Sequence, residues 1–303
     1  GAGLAAAGAP AAARVPKRRP RALREAAARA LFAAAAALSI AAVALICLFL
    51  LANGVPAMAE IGLPEFLFGT TWRPVNDLYG IFPMIVGSLY VTAGAMIVGV
   101  PGGLLTALYF SRFARGRTGS FLRSGVELLA GIPSVVYGFF GLVIIVPFVR
   151  LLGPGTGLSV LAASLILGIM ILPTVITVAQ SALDAVPARY YEGALALGVD
   201  HEHAVFKVVA PAAASGIMAA IVLGLGRAIG ETMAVVMVAG NMPIIPDSLL
   251  SGVRTMTANI VLEMGYAADL HREALIATGV VLFVFILLIT MLLNVIRKRG
   301  EAR

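Results

Sequence analysis

An arginine, a glutamate and a threonine stand in a stretch of the chain that is otherwise apolar: Arg227, Glu231 and Thr232. A guanidinium group is planar, stays charged and donates paired hydrogen bonds, so it suits phosphate-like oxyanions. The spacing of four predicts that Arg227 and Glu231 share one helix face. There the carboxylate would orient the guanidinium and neutralise it while no anion is bound. A structural ion pair that locks two helices together is the alternative interpretation.

Two glycines flank the arginine in the same stretch. Gly226 and Gly230 form a Gly-x-x-x-Gly pattern, which permits the close approach of a second helix. A charged side chain inside a membrane costs at least about 2.5–3.5 kcal/mol and usually faces a bundle interior or a water-filled path. If the stretch spans a membrane, the pattern therefore predicts helix packing at the glycines and a substrate pathway beside Arg227.

A second segment, residues 181–213, has the composition of a loop that contains a short exposed helix. Pro187 suits the first turn of a helix, and Gly198 suits the left-handed residue that ends one. Between them lie Glu192, Gly193 and Ala194. An exposed amphipathic helix of this kind is suited to lie in the groove of a partner protein.

The elements that must position these residues are membrane spans. The chain is 60% hydrophobic and only 12% charged, which is more apolar and less charged than soluble domains are. A spanning helix needs about 20 mostly apolar residues. Six stretches qualify: residues 31–52, 82–110, 126–150, 158–180, 214–240 and 274–296. The sequence therefore predicts an all-α membrane protein, with a transmembrane domain over residues 31–303.

Residues 1–30 are rich in alanine, proline and arginine, which predicts a flexible basic tail. The first apolar run, residues 31–52, has a second interpretation as a signal peptide, because Ala57-Met58-Ala59 resembles a cleavage site. The run is longer than an ordinary signal-peptide core and further spans follow it, which favours an uncleaved span.

The distribution of basic residues predicts the orientation of the spans. With both termini in the cytoplasm, 17 of the 22 lysines and arginines lie on the cytoplasmic side, in the tail, loop 111–125, segment 181–213 and the C-terminus. Arg227 is the single basic residue in the interior of a predicted span, since Arg150 stands at the outer end of its stretch. We therefore expect a multi-pass protein with cytoplasmic N- and C-termini. This clustering at the membrane surface also argues against a nucleic-acid partner, despite the net charge of +7.

Two kinds of site are not supported by the sequence. His201 and His203 lie in segment 181–213, but no cysteine or carboxylate cluster completes a tetrahedral metal site, so no metal site is expected. The three lysines, Lys17, Lys207 and Lys298, never follow glycine, whereas the ATP-binding P-loop requires a Gly-Lys pair. A pump built on this chain must obtain ATP hydrolysis from other subunits.

Segment 181–213 resembles the EAA coupling loop of ABC importer permeases, because Glu192-Gly193-Ala194 is followed by Gly198 and then by Pro211. In that family the loop docks on the ATPase subunit and transmits its closure. Gly193 replaces the usual alanine, and Ala210 replaces the usual leucine before the proline.

Three further blocks, residues 127–141, 226–234 and 254–260, resemble the PstC family of phosphate permeases. The resemblance covers roughly residues 79–296. It implies the type I ABC importer permease (MetI-like) fold of six transmembrane helices, a bacterial inner-membrane location and passage of phosphate near Arg227. The block at residues 132–138 and the pair Gly240-Asn241 favour this family over the sibling PstA family.

The same resemblance implies a set of partners. They are a PstA-like second permease, a PstB-like ATPase dimer that binds ATP and Mg²⁺, a PstS-like extracytoplasmic phosphate-binding protein and membrane lipid. This chain itself would bind no cofactor and catalyse no reaction. Three alternatives remain open: a permease for another oxyanion such as sulfate or molybdate, an ion-coupled secondary carrier, and a membrane sensor or scaffold without transport.

Overall fold

The computed structural model describes residues 19–114 and 116–301. Its contacts divide the chain into two units, one ending at Phe49 and one beginning at Leu50. Helix α1 (Arg19–Ile61) begins in the first unit and continues into the second. Residues 1–18 of the predicted tail lie outside the described residues, and its remainder, from Arg19, is already helical.

In the first unit, the apolar side chains of α1 from Leu31 to Ile46 are exposed. A helix that is apolar on all sides has the character of a membrane span, because lipid can cover what the protein leaves uncovered. Residues Arg24–Ile61 pass the length and hydropathy criteria for such a span. The prediction of a span at residues 31–52 agrees with this helix, which is longer at both ends.

The second unit is almost entirely helical. Its first part comprises α2 (Leu63–Phe68), β1 (Trp72–Arg73), β2 (Leu78–Tyr79), α3 (Phe82–Leu108), α4 (Gly116–Gly131), α5 (Ser134–Phe140) and α6 (Val146–Arg150). Its second part comprises α7 (Val160–Asp184), α8 (Ala188–Ala196), α9 (His201–His203), α10 (Ala210–Ala212), α11 (Ala214–Gly230), α12 (Met233–Val238), α13 (Met256–Glu263) and α14 (Asp269–Glu301). Strands β1 and β2 form an antiparallel hairpin around the short 3₁₀ turn Pro74–Asn76. Wider π-helical turns follow α3, α5 and α9 at Tyr109–Phe113, Gly141–Ile145 and Ala204–Val209.

Helices α3 and α7 form the centre of the second unit and run parallel. Glycines of α3 meet α7 in rising order, Gly94 at Ser164 and Gly103 at Val175. A Cβ at Gly99 would lie 2.7 Å from the backbone oxygen of Gly168, so glycine is what allows this close approach. Because the two helices are parallel, the β-hairpin before α3 and the start of α7 lie at one end of the unit, the hairpin end. The ends of α3 and α7 lie at the other, the coupling end.

Among the residues that the structure describes, four helices are long and apolar enough to cross a membrane, or six if each of two bent helix pairs counts as one span. Residues 116–131 and 134–150 meet at an angle of 100°, and residues 201–212 and 214–230 at 71°. Pro133 lies at the first bend in extended conformation, because proline removes a helical hydrogen bond and clashes with the preceding turn. The stretches predicted as spans at residues 126–150 and 214–240 are therefore not continuous helices. The first is broken at Pro133, and the second stops at Gly230.

Buried side chains in the second unit form three clusters. The central cluster surrounds α7 and includes Ile166 and Met170. A cluster at the hairpin end packs the hairpin and α2 on α14, with Trp72 and Leu275 among its members. The cluster at the coupling end, which includes Leu183, joins α3, α7 and the segment around α8. The central cluster also contains Ala228 and Ala234, on either side of the break that carries the site.

Candidate functional site

The stretch that carries Arg227 and Glu231 is a broken helix. Helix α11 ends at Gly230 and α12 begins at Met233, and the backbone of Glu231 is extended, with φ −71° and ψ 134°. The carboxylate of Glu231 accepts a hydrogen bond of 3.3 Å from the backbone N–H of Ala234. This satisfies one of the donors that the first turn of a helix leaves without an internal partner. Glu231 therefore caps α12, and the prediction that it shares a helix face with Arg227 is wrong.

Arg227 lies on an exposed face of α11. Within residues 19–114 and 116–301, no hydrogen bond or ion pair joins it to Glu231 or to another side chain. The positive charge is therefore not neutralised by an ion pair in the described part of the chain.

The glycines beside Arg227 do not pack against another helix in the described part of the chain. A Cβ built on Gly226 or Gly230 would meet no atom within 4 Å, and both residues are exposed. The predicted close packing at these glycines is therefore not made among the described residues. Leu223, Gly226, Arg227 and Gly230 instead follow helical spacing along one exposed stripe of α11, which we call the Arg227 stripe.

Two of the three sequence blocks that predicted the family meet at α12. A Cβ on Gly138 would lie 2.9 Å from the Cα of Ala234, so the glycine permits α5 to touch α12. The hydroxyl of Tyr137 donates to the backbone oxygen of Leu129 at 2.8 Å and so bridges the bend at Pro133. The blocks at 127–141 and 226–234 thus form one site around the break in the helix.

The third block reaches the same break from the hairpin end. The hydroxyl of Thr257 donates to the backbone oxygen of Glu231 at 3.1 Å. The hydroxyl of Thr232, the remaining predicted pathway residue, is 3.4 Å from the backbone oxygen of Gly230. The sequence placed Thr257 in a recognisable block but gave no signal of this contact, because the two residues are 26 positions apart and joined by an irregular loop.

A buried carboxylate at the hairpin end was missed by sequence reasoning. Glu263 is 7% exposed, and one of its oxygens accepts from the guanidinium of Arg254 at 2.5 Å. The other accepts from the indole N–H of Trp72 and from Nε2 of His271, both at 2.9 Å. Arg254 also donates to the side chain of Asn259 at 3.0 Å. These five residues, the Glu263 cluster, join the hairpin, α13 and the start of α14.

At the coupling end, α8 forms where the sequence predicted a short helix. Pro187 precedes its first residue, and Gly198 has φ +84°, which confirms the left-handed residue predicted to end it. The N–H of Gly198 donates to the oxygen of Leu195, and that of Val199 to the oxygen of Ala194. This pair of hydrogen bonds is the Schellman motif, which satisfies carbonyls at a helix end.

Helix α8 has one face toward the protein and one toward solvent. Of the residues predicted to dock on a partner, Ala194 is buried, whereas Glu192, Gly193 and Gly198 are exposed. Tyr191 reaches inward, and its hydroxyl shares a hydrogen bond of 2.7 Å with Nδ1 of His201. His201, for which the sequence predicted no metal site, is part of a contact that holds α8 in place.

The contact continues from His201 to the end of α3. The rings of Phe113 and His201 are 4.6 Å apart, edge to face. The guanidinium of Arg112 lies 5.8 Å from the centre of the Tyr191 ring and donates to the backbone oxygen of Leu183 at 2.9 Å. These four side chains, which we call the Tyr191 clamp, connect α8 to the ends of α3 and α7.

Two titratable groups outside the spans have shifted pKa values. Backbone and side-chain hydrogen bonds from His203 lower the pKa of Asp200, which caps α9. Burial raises the pKa of the Tyr79 hydroxyl in the β-hairpin, and the nearby charge of Asp77 adds to it. Among the described residues, no group of three histidine, cysteine or acidic side chains is arranged to hold a metal ion.

Residues 99–301 match the family of binding-protein-dependent transport system inner membrane components. The chain belongs to that family. Segment 181–213, which resembles the coupling loop of ABC importer permeases, lies inside the matched residues. The permease is a multi-pass protein of the inner membrane and a transport subunit.

Relatives that align over most of the permease carry transport names. The probable ABC transporter permease protein YqgH of Bacillus subtilis (strain 168) is 36% identical over 294 residues, which cover 95% of each chain. The phosphate transport system permease protein PstC of Mesorhizobium japonicum is 33% identical over 291 residues, which cover 89% of each chain. The predicted resemblance to the PstC family is confirmed.

A chain of the MetNI methionine ABC transporter in an inward-facing conformation shares the fold of the permease. The TM-score is 0.57 at 20% identity, and the match covers 76% of this chain and 99% of that one. At this level of identity the likeness concerns the fold alone. It confirms the predicted MetI-like architecture.

Proposed function

We propose that this permease is the membrane-spanning subunit of an ATP-driven importer of inorganic phosphate. The observation that carries the proposal is Arg227, a guanidinium on an exposed stripe of a spanning helix without an ion pair in the described chain. A membrane charge left in this state is costly and is usually kept for a transport path. The phosphate transport names of relatives such as PstC of Mesorhizobium japonicum indicate which anion would use it.

The exposure of the Arg227 stripe supports a path shared with a second protein. A cation bordered by glycines leaves room for an anion and for another helix. We therefore assign the stripe to the interface with a PstA-like second permease, where phosphate would pass between the two subunits. The planar fork of Arg227 would bind two phosphate oxygens at once, and Thr232, beside the break, would offer a hydroxyl.

The coupling end supports the proposed link to ATP. The exposed face of α8, with Glu192 and Gly193, would dock on a PstB-like ATPase dimer that binds ATP and Mg²⁺. Closure of the dimer would move α8, and the Tyr191 clamp would pass the movement to α3 and α7. At the hairpin end a PstS-like binding protein would deliver phosphate. This chain would hold no cofactor.

The orientation proposed with this scheme has both termini in the cytoplasm. It places the coupling end, with Arg112, Arg189 and Lys207, on the side where basic residues concentrate in membrane proteins. The hairpin end then faces outward. Cysteines placed at Gly116 and Asp200 would react with cytoplasmic reagents only, and one at Asp77 with external reagents only. External labelling at position 200 in intact cells would overturn the orientation.

Sulfate and molybdate are the chemical competitors, because a guanidinium binds any tetrahedral oxyanion. An ion-coupled secondary carrier would need no ATPase, and membership of a binding-protein-dependent family argues against it. The deciding experiment is uptake of radioactive phosphate by proteoliposomes that contain both permeases and the ATPase, with the loaded binding protein outside. We expect uptake that requires ATP and the ATPase, and that excess sulfate or molybdate does not suppress. Uptake without the ATPase, or equal uptake of sulfate, would refute the proposal.

A further inference from the structure

We infer that Thr257 is a positioning residue for the substrate pathway, and that α13 links the break at Glu231 to the Glu263 cluster. The inference rests on the proposed function in so far as the pathway is the one beside Arg227. It adds a role for a side chain that touches neither the proposed anion nor the ATPase.

Thr257 binds the backbone carbonyl group of Glu231. The last carbonyls of a helix have no partner within the helix and need one elsewhere. The backbone oxygen of Glu231 lies just after α11 and accepts from the hydroxyl of Thr257 at 3.1 Å. Thr257 is 8% exposed, so water does not readily replace this bond. The geometry of the break between Arg227 and α12 therefore depends on a donor from another segment.

Thr257 is itself held in place by Thr255. A hydroxyl has one proton, and that of Thr257 is used on Glu231. Thr255, whose hydroxyl is 3.1 Å away, must then donate to Thr257. The lone pairs of Thr255 in turn accept from the N–H of Ala258 at 3.2 Å, which caps α13. Each hydroxyl proton in the pair has one assigned acceptor, so the orientation of Thr257 is fixed.

The start of α13 is attached to α3, one of the long spans. The backbone N–H of Met256 donates to the hydroxyl of Ser88 in α3 at 2.9 Å, and both residues are buried. A Cβ at Gly87 would lie 2.6 Å from the backbone oxygen of Arg254, so glycine is needed for α3 to approach this closely. The residue that binds Glu231 is thus attached to the central helix of the unit.

The other end of α13 is held by the Glu263 cluster. Glu263 is the last residue of this helix and lies about 9 Å along its axis from Thr257, from the rise of 1.5 Å per residue. Its carboxylate is fixed by donors from Trp72, Arg254 and His271. A helix held at both ends moves as one body. A displacement of the hairpin, which carries Trp72, would therefore reach the carbonyl of Glu231.

The test uses the assembled complex of both permeases and the ATPase. Thr257→Val removes the hydroxyl at nearly constant volume, and Thr257→Ser restores it. Thr278→Val is the matched control, because Thr278 is fully buried and its hydroxyl bonds only to Ala274 within its own helix. The readouts are ATP-driven phosphate uptake and the labelling rate of a cysteine that replaces Met233, in a Cys47→Ser background. Met233 is 45% exposed and begins α12 directly after the break.

We expect Thr257→Val to lower uptake about tenfold and to change the labelling rate about fivefold, because a buried acceptor is left without its donor. Thr257→Ser and Thr278→Val should stay within about twofold of the parent in both readouts, since each keeps the bond to Glu231. If Thr257→Val does not assemble, Thr257→Ala removes the same hydroxyl without adding volume, and the same results are expected of it.

Either readout without the other overturns the inference. Unchanged labelling would mean that Thr257 does not hold the break, and unchanged uptake would mean that transport does not need the hydrogen bond from Thr257. A parent complex that fails to move phosphate would refute the proposed function instead. The labelling of Met233→Cys would then decide alone whether Thr257 positions the break, because that measurement requires no substrate.

Discussion

Tyr191 and His201 share a hydrogen bond of 2.7 Å that joins α8 to the residues that follow it. The imidazole of His201 also packs edge to face on Phe113, at the end of α3. A helix that protrudes toward a partner transmits force only if it is attached to what must move. This bond therefore connects the proposed docking surface, through His201 and Phe113, to the end of α3.

The first prediction concerns that bond. Tyr191→Phe keeps the ring that lies near Arg112 and removes the hydroxyl, at a cost of about 0.5–1.5 kcal/mol for one hydrogen bond. We expect the complex to assemble and hydrolyse ATP, with fewer phosphate ions moved per ATP. The control is Tyr190→Phe, an exposed tyrosine on the same helix. Equal ratios of phosphate to ATP in the two variants would remove the role given to the clamp.

The second prediction concerns the end of α8. Gly198 has φ +84°, where a residue with a β-carbon costs roughly 1–2 kcal/mol. We expect Gly198→Val to weaken retention of the ATPase on the permease while the spans still insert. Co-purification of the ATPase measures this directly.

Gly193→Ala is the control for that variant. A Cβ at Gly193 meets no atom within 4 Å, and the residue lies inside α8. Alanine favours a helix over glycine by roughly 0.5–1 kcal/mol, so this variant should retain the ATPase at least as well as the parent. Normal ATP-driven uptake by Gly198→Val would argue against α8 as the coupling helix.

The third prediction concerns the Glu263 cluster. The side chains of Glu263 and Arg254 are 10% and 15% exposed. Removing one partner of a buried ion pair typically costs about 3–5 kcal/mol, because the other charge stays buried. We expect Glu263→Gln to lower the Tm of the purified complex, and the double variant Arg254→Met with Glu263→Gln to recover part of the loss. Glu273→Gln, at an exposed position of α14, should leave Tm unchanged. A double variant no more stable than Glu263→Gln would show that the pair contributes little.

Residues that are close together in the sequence were sufficient to predict the limits of α8, the long spans and the family. Pro187 and Gly198 each dictate their own backbone, so the limits of α8 follow from neighbouring residues alone. Long apolar runs likewise located α1, α3, α7 and α14. The PstC family was recognised from short blocks whose residues meet in space, as Gly138 and Ala234 do.

The features that escaped prediction depend on distant residues. Gly230-Glu231-Thr232 continues the spacing of a helix, and the break there is held by Thr257 and by the cap on α12. The partner of Glu263 at Trp72 is 191 positions away, and nothing in the sequence around either residue indicates the pairing. Tertiary contacts decided both cases against the local pattern.

The fourth prediction concerns the charge of Arg227. A structural ion pair would make Arg227 and Glu231 depend on each other, so removing one would leave the other unpaired. The break separates them, and the carboxylate is satisfied by the N–H of Ala234. We therefore expect Arg227→Ala to assemble normally with its partners and to lose phosphate uptake. Arg150→Ala, an exposed arginine at the end of α6, is the control and should transport normally.

Two further variants separate charge from geometry at the same position. Arg227→Lys keeps the charge and loses the planar fork that binds two oxygens at once, so uptake should fall sharply although assembly is unchanged. The double variant Arg227→Ala with Glu231→Gln removes both charges. If the two residues served only to pair with each other, this variant would regain transport. If Arg227 binds the passing anion, the variant stays inactive after the ATPase is shown to co-purify. Full phosphate uptake by the double variant would exclude the role proposed for Arg227.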